Sequence, residues 1–96
     1  MYVILFDLDT SCLEESYKGN TYHGAYSEVK KFLLSKGFEW KQGSVYFAKS
    51  SMNAVDCVLV VQDLARTYPW FAACVKDVRM LRIEENNDLM PAIDPS

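Results

Sequence analysis

The order of two hydrophobic periodicities constrains this chain more than any other feature. Tyr2–Asp9 is a dense run of β-branched and aromatic side chains ending in acids, the pattern of a strand. Tyr22, Ala25, Tyr26, Val29, Phe32 and Leu33 then fall on one helical face, with Asn20 or Thr21 as the N-cap and Gly37 as the stop. Phe38–Lys41 and Ser44–Lys49 read as two short strands joined by a tight turn through Gln42 and Gly43. A second helix follows, capped by Ser51 or Asn53, with Val55, Val58, Leu59, Val61, Leu64 and Ala65 apolar and Pro69 as its limit. Trp70–Cys74 suits a short helical turn, and Val75–Glu84 a second long strand. The polar segment 10–20 reads as a loop and Asn86–Asp88 as a turn. Leu89–Ile93 reads as a short edge strand, because Pro91 bars a central one.

The resulting order, β-α-β-β-α-β plus a tail, is the split β-α-β arrangement of ferredoxin-like α+β domains. Right-handed crossovers put the first and third strands in the centre of an antiparallel sheet, with both helices on one face. No repeat, linker or low-complexity stretch divides the chain, so a single domain over residues 1–96 is expected. Half the residues are hydrophobic and 24% are charged, which excludes a disordered chain. The longest apolar run, Met1–Phe6, is far shorter than the roughly 20 residues a membrane span needs. No basic stretch or cleavage pattern follows Met1, so a signal peptide is not expected and the cytoplasm is the default compartment. Cys12, Cys57 and Cys74 are odd in number and unpatterned, which argues against disulfides. With His23 they also lack the close ligand pairs of structural zinc sites.

In the first strand Tyr2, Ile4, Phe6 and Leu8 alternate with Val3, Leu5, Asp7 and Asp9. Both faces are apolar for most of its length, yet the helices cover only one. An uncovered sheet centred on Val3 and Leu5 suggests a homodimer whose open faces meet. The chain carries 10 basic and 13 acidic residues, net −3, which excludes a generally basic polyanion binder. Residues 18–49 nevertheless hold six lysines against Glu28 and Glu39.

The topology gathers chemistry at one end of the sheet. The end of the first strand lies beside the starts of the third and fourth, so Asp7 and Asp9 approach Gln42-Gly43-Ser44 and Lys76-Asp77-Val78-Arg79. A carboxylate there can serve as a base or hold a divalent cation, and the cations can bind phosphate. The plainer reading is a strand-end ion pair of Asp7 with Lys76 or Arg79. His23 has no second histidine to form an acid–base pair and suits a surface or capping role. Trp40, Tyr46, Trp70 and Phe71 can stack bases, but such spacings more often serve a core or dimer contact.

Phe6-Asp7-Leu8, Gly37-Phe38, Gln42-Gly43-Ser44-Val45-Tyr46, Trp70-Phe71 and Val75-Lys76-Asp77-Val78-Arg79 together resemble virulence-associated protein D. That family is related to the small ferredoxin-like endoribonucleases associated with CRISPR systems. The resemblance spans nearly the whole chain. It implies a homodimeric bacterial endoribonuclease acting on RNA, in some members the toxin of a pair and therefore a partner of an antitoxin protein. The resemblance marks Asp7 and Ser44 as catalytic candidates, with Lys41, Lys76 and Arg79 for RNA binding. Cys74 and Lys76 stand where relatives commonly carry serine and arginine, and lysine lacks the two-pronged phosphate fork of arginine.

Two routes are expected from these residues. Asp7 of each protomer holds Mg²⁺, which activates water; or Asp7 deprotonates a 2′-hydroxyl while Arg79 or Lys76 stabilises the phosphorane. Ser44 then binds phosphate or orients Asp7. The competing reading is a non-catalytic dimeric module binding RNA or protein, which would favour an open sheet rich in aromatics.

Overall fold

The alternation of the first strand decides the layering. In the computed structural model, which describes residues 1–19 and 21–93, β1 (Tyr2–Leu8) buries Ile4, Phe6 and Leu8 beneath the helices. α1 (Thr10–Ser16) follows at once, then α2 (Tyr22–Ser35), the hairpin β2 (Phe38–Gln42) and β3 (Val45–Ala48), α3 (Ala54–Thr67), α4 (Pro69–Cys74), β4 (Val75–Arg82) and α5 (Met90–Ile93). The four-stranded sheet has the order β2-β3-β1-β4 with every neighbouring pair antiparallel, so the fold is the expected ferredoxin-like α+β arrangement. β1 and β3 are central. Among the described residues no helix is long and apolar enough to cross a membrane.

The core forms where the helical and strand periodicities meet. Ala25, Val29 and Leu33 of α2 and Cys57 and Leu64 of α3 close over Ile4, Phe6, Tyr46 and Phe71. Phe6 stacks on Tyr46 at 6.0 Å and takes Phe71 edge-on at 5.6 Å. Asn53 caps α3, its side chain accepting from the Asp56 N–H while the Asp56 carboxylate accepts from the Asn53 N–H. That reciprocal pair, and not Ser51, starts the helix. Thr21 precedes α2 without a side-chain cap bond, and the alternative cap Asn20 lies outside the described residues. Gly37 closes α2 at a φ of 99°, and Gly43 turns the hairpin at 50°.

Three local expectations are corrected. Segment 10–20 is not a loop throughout, because Thr10–Ser16 is helical. Asp9 accepts the Cys12 N–H at 3.1 Å as its N-cap, and Leu13 is fully buried, 0% exposed. Leu89–Ile93 is not an edge strand. The Asp88 carboxylate accepts the Met90 N–H at 2.9 Å and starts α5, a first turn in which Pro91 needs no donor. Cys12 and Cys74, read as unpaired thiols, form a disulfide between α1 and α4 with their Cα atoms 5.4 Å apart. Cys57 remains free and buried; burial, and then the neighbouring Asp56 charge, raise its thiol pKa.

The face turned away from the core helices is neither bare nor fully covered. Val3, flanked by Phe47 and Leu81 in register, is only 4% exposed. Leu81 itself is exposed, as are Leu89, Met90 and Ile93 of the tail. The tail runs back past β2 and β3, where Leu89 and Ile93 border a groove with Val45 and Phe47.

Candidate active site

Three chain segments reach the end of the sheet where β1 finishes. β1 delivers Asp7, the hairpin delivers Ser44 through a bond from the Phe6 N–H to the Ser44 carbonyl at 3.3 Å, and β4 delivers Lys76 and Asp77. Registration places Asp7 opposite Asp77, and a break between Asp7 and Leu8 shifts the next pairing to Val75. That irregularity lets Lys76 reach across, so its ammonium lies 3.8 Å from the Asp7 carboxylate. The Arg79 guanidinium binds Asp77 instead, at 2.9 and 3.2 Å. Two carboxylates and two cations thus occupy one solvent-facing patch; Asp7 and Lys76 are 65% and 58% exposed at their side chains.

The other sequence candidates fall out differently. Asp9 is spent on the α1 cap. Ser44 lies alongside Phe6 by its backbone, one residue from Asp7. Lys41 pairs with Glu39 at 2.9 Å and covers the Phe47 ring at 5.2 Å, so its ammonium is directed along the open face. Trp40 donates to the Gly43 carbonyl at 2.9 Å and carries Lys30 over its ring at 3.8 Å, stiffening the hairpin. Tyr46 and Phe71 are core residues.

The sequence reading brought Asp77 to this end of the sheet without a role; the β1–β4 register makes it the direct partner of Asp7 across the strands. One residue escaped that reading. Tyr26 sits on the second turn of α2, a helix that starts at this same end of the sheet. Burial raises its pKa, and the charge of Asp7 and then Tyr22 adds to the rise, so the hydroxyl stays protonated near the carboxylate. Its identity as a core-facing helix position gave no hint of that neighbour.

Comparison with known proteins bears on the same residues. No protein-family model matches the chain. The sequence is 66% identical over 93 residues to endoribonuclease VapD 2 of Riemerella anatipestifer, covering 97% of this chain and 99% of the relative. It is 58% identical over 93 residues to an endoribonuclease VapD homolog of Helicobacter pylori, covering 97% and 96%. A third relative, endoribonuclease VapD of Dichelobacter nodosus, is 39% identical over 88 residues, covering 92% and 91%. Each match covers more than nine-tenths of both chains, so the chain belongs to the VapD family, virulence-associated protein D.

Proposed function

We propose that this chain is an endoribonuclease that works as a homodimer, with Asp7 as its general base. One observation carries the reading: Asp7 stands at a strand end with the Lys76 ammonium 3.8 Å away, in a chain whose relatives bear the name endoribonuclease. The Asp7 carboxylate takes the proton of an RNA 2′-hydroxyl, and that oxygen attacks the adjacent phosphorus. Lys76, and Arg79 drawn from Asp77, offset the charge that builds on the phosphoryl oxygens. The bond to the 5′ oxygen breaks, that oxygen takes a proton from solvent at this open site, and a 2′,3′-cyclic phosphate remains. Ser44 holds the Phe6–Asp7 segment against the hairpin.

Asp7 and Asp77 are also the oxygen donors that Mg²⁺ accepts, commonly one or two carboxylates completed by phosphate and water. They would hold such an ion, which when bound neutralises phosphate charge and lowers the pKa of its water.

The dimer is supported by the exposed apolar residues of the open face and tail, Leu81, Leu89, Met90 and Ile93. Joining two open faces brings the two Asp7 residues toward one axis. A cytoplasmic location is the reading that an RNA substrate supports. A role as the toxin of a toxin–antitoxin pair rests on the family resemblance, and growth arrest on expression of wild type but not of Asp7→Asn would test it.

The direct experiment incubates folded wild type and Asp7→Asn with labelled RNA, with and without EDTA, and reads both the product ends and the oligomeric state. Cleavage by wild type alone, with cyclic phosphate ends and no effect of EDTA, supports the base mechanism. Loss of cleavage in EDTA assigns the role to the metal, and equal cleavage by both proteins removes Asp7 from the mechanism. A monomer that cleaves at the full rate removes the dimer.

A further inference from the structure

We infer that the cleft between α1 and the first turn of α2 is a nucleobase subsite that reads guanine beside the cleavage site. This inference rests on the nuclease reading and deepens it. The cleft has a volume of about 350 Å³ and is lined by Leu13, Glu14, Tyr17, Thr21, Tyr22 and His23, with Gly19 at its rim. That volume lies at the small end of ligand sites, room for one planar base and not for a large ligand.

Its place in the fold is the first argument. α1 begins directly after the strand that carries Asp7, and α2 starts at the same end of the sheet. Tyr26 feels the charge of Asp7, and Tyr22 precedes it by one helical turn, about 5–6 Å along the same face. A strand of RNA with its phosphate at Asp7 would reach the cleft by passing around this end of the sheet.

The walls are the second argument. The Tyr22 and His23 rings lie 4.3 Å apart, tilted by 32°, and present flat faces on which a base can stack. Tyr17 is held in place by its surroundings. A Cβ at Gly19 would come within 2.3 Å of the Tyr17 ring, and one at Gly24 within 2.7 Å of its hydroxyl. Glycine inside a helix costs about 1 kcal/mol relative to alanine, and at Gly24 the gain is room for this ring. Trp70 meets Tyr17 edge-on at 5.1 Å from behind, while Leu13 forms an apolar floor. A wall fixed before the ligand arrives loses little freedom on binding.

The polar groups choose the base. Among the described residues Glu14 has no ion-pair partner, and its carboxylate offers two acceptor oxygens at the rim. Guanine alone presents two adjacent donors, N1–H and N2–H, on one edge. The Thr21 hydroxyl and an imidazole N–H of His23 can donate to its O6. Adenine offers an acceptor at N1 where guanine offers a donor, and meets the carboxylate with repulsion.

The test follows the two indole N–H signals of the intact protein by NMR during titration with GMP, AMP, CMP and UMP, and maps cut sites in a mixed-sequence RNA. GMP is expected to shift the Trp70 signal and leave Trp40 in place. Glu14→Gln, a change at an exposed side chain, should reduce the preference for GMP over AMP about tenfold and flatten the guanine bias of the cut sites. His23→Ala, which removes a stacking face and a donor to O6, should weaken all four nucleotides and GMP the most. The inference is overturned if no nucleotide moves the Trp70 signal, or if Glu14→Gln leaves both the preference and the cleavage map unchanged. Running Asp7→Asn in parallel separates the two readings. If that variant still cleaves while GMP binding depends on Glu14, the subsite stands and the assignment of Asp7 falls.

Discussion

Asp7 and Asp77 are paired directly across β1 and β4, like charge facing like charge, and each is answered by a cation from β4. Cross-strand carboxylates repel, so Lys76 and Arg79 perform a structural service in the free protein, which the proposed mechanism has them transfer to a phosphate. The pairs are exposed, and exposed pairs contribute roughly 0–1 kcal/mol. Releasing them to bind RNA therefore costs little.

The first prediction follows. Lys76→Ala and Arg79→Ala should each lower kcat/KM on RNA by about 10- to 100-fold while shifting the urea midpoint very little. Lys76→Arg, which keeps the charge, should recover most of the loss and leave the salt dependence as in wild type. Midpoints that fall as far as activity would show that the cations act on folding alone.

Phe71 is 1% exposed and meets Phe6 edge-on beneath the site-bearing end of β1. Phe71→Ala should destabilise the protein by about 3–5 kcal/mol in denaturant titrations, through lost burial and the cavity left behind. Phe71→Leu should recover more than half of that.

Burial lifts the Tyr46 hydroxyl to a pKa of about 12. The unfolded chain ionises near 10, so the folded state holds this proton more tightly. The associated stability is fully present below pH 10 and is lost as pH rises toward 12, on the order of 2 kcal/mol. Tyr46→Phe should flatten that alkaline limb in melting curves taken from pH 9 to 12, and an unchanged limb would assign the loss to other groups.

The disulfide spans 62 residues, and closing a loop of that length contributes typically 2–4 kcal/mol. Dithiothreitol should lower the denaturant midpoint of wild type, and the double variant Cys12→Ser/Cys74→Ser should start at that lower value and ignore the reductant. A thiol reagent should then label Cys12 in the reduced native protein, with buried Cys57 and Cys74 reacting only on unfolding.

Much of this was legible in the residues. The alternation of Tyr2–Leu8, the helical spacing from Tyr22 to Leu33 and the Gln42–Gly43 turn each follow from short-range rules, and together they define the sheet order and bring Asp7 to Lys76. α1 was hidden because Thr10, Ser11 and Cys12 are weak helix formers; the helix depends on the Asp9 cap, the burial of Leu13 and a covalent tie to α4. The bridge itself was unreadable because odd cysteines without spacing do not reveal proximity in space. The exact pairing of Asp77 with Asp7 and the place of Tyr26 belong to the same class, neighbours decided by register and helix placement and not by the surrounding chain.

The Cys12–Cys74 bond also changes what the chain is as an object. It closes α1 through α4 into a covalent ring, leaving β1 and β4 as the two free ends that emerge side by side and zip together. The route from Leu8 to Val75 through the bridge is as short as a hairpin loop, although the peptide between them holds most of the protein. A protease that cuts once anywhere inside the ring therefore releases nothing. Asp7 and Lys76 remain tethered on adjacent strands, and a nicked molecule migrates as intact until its sulfurs are reduced.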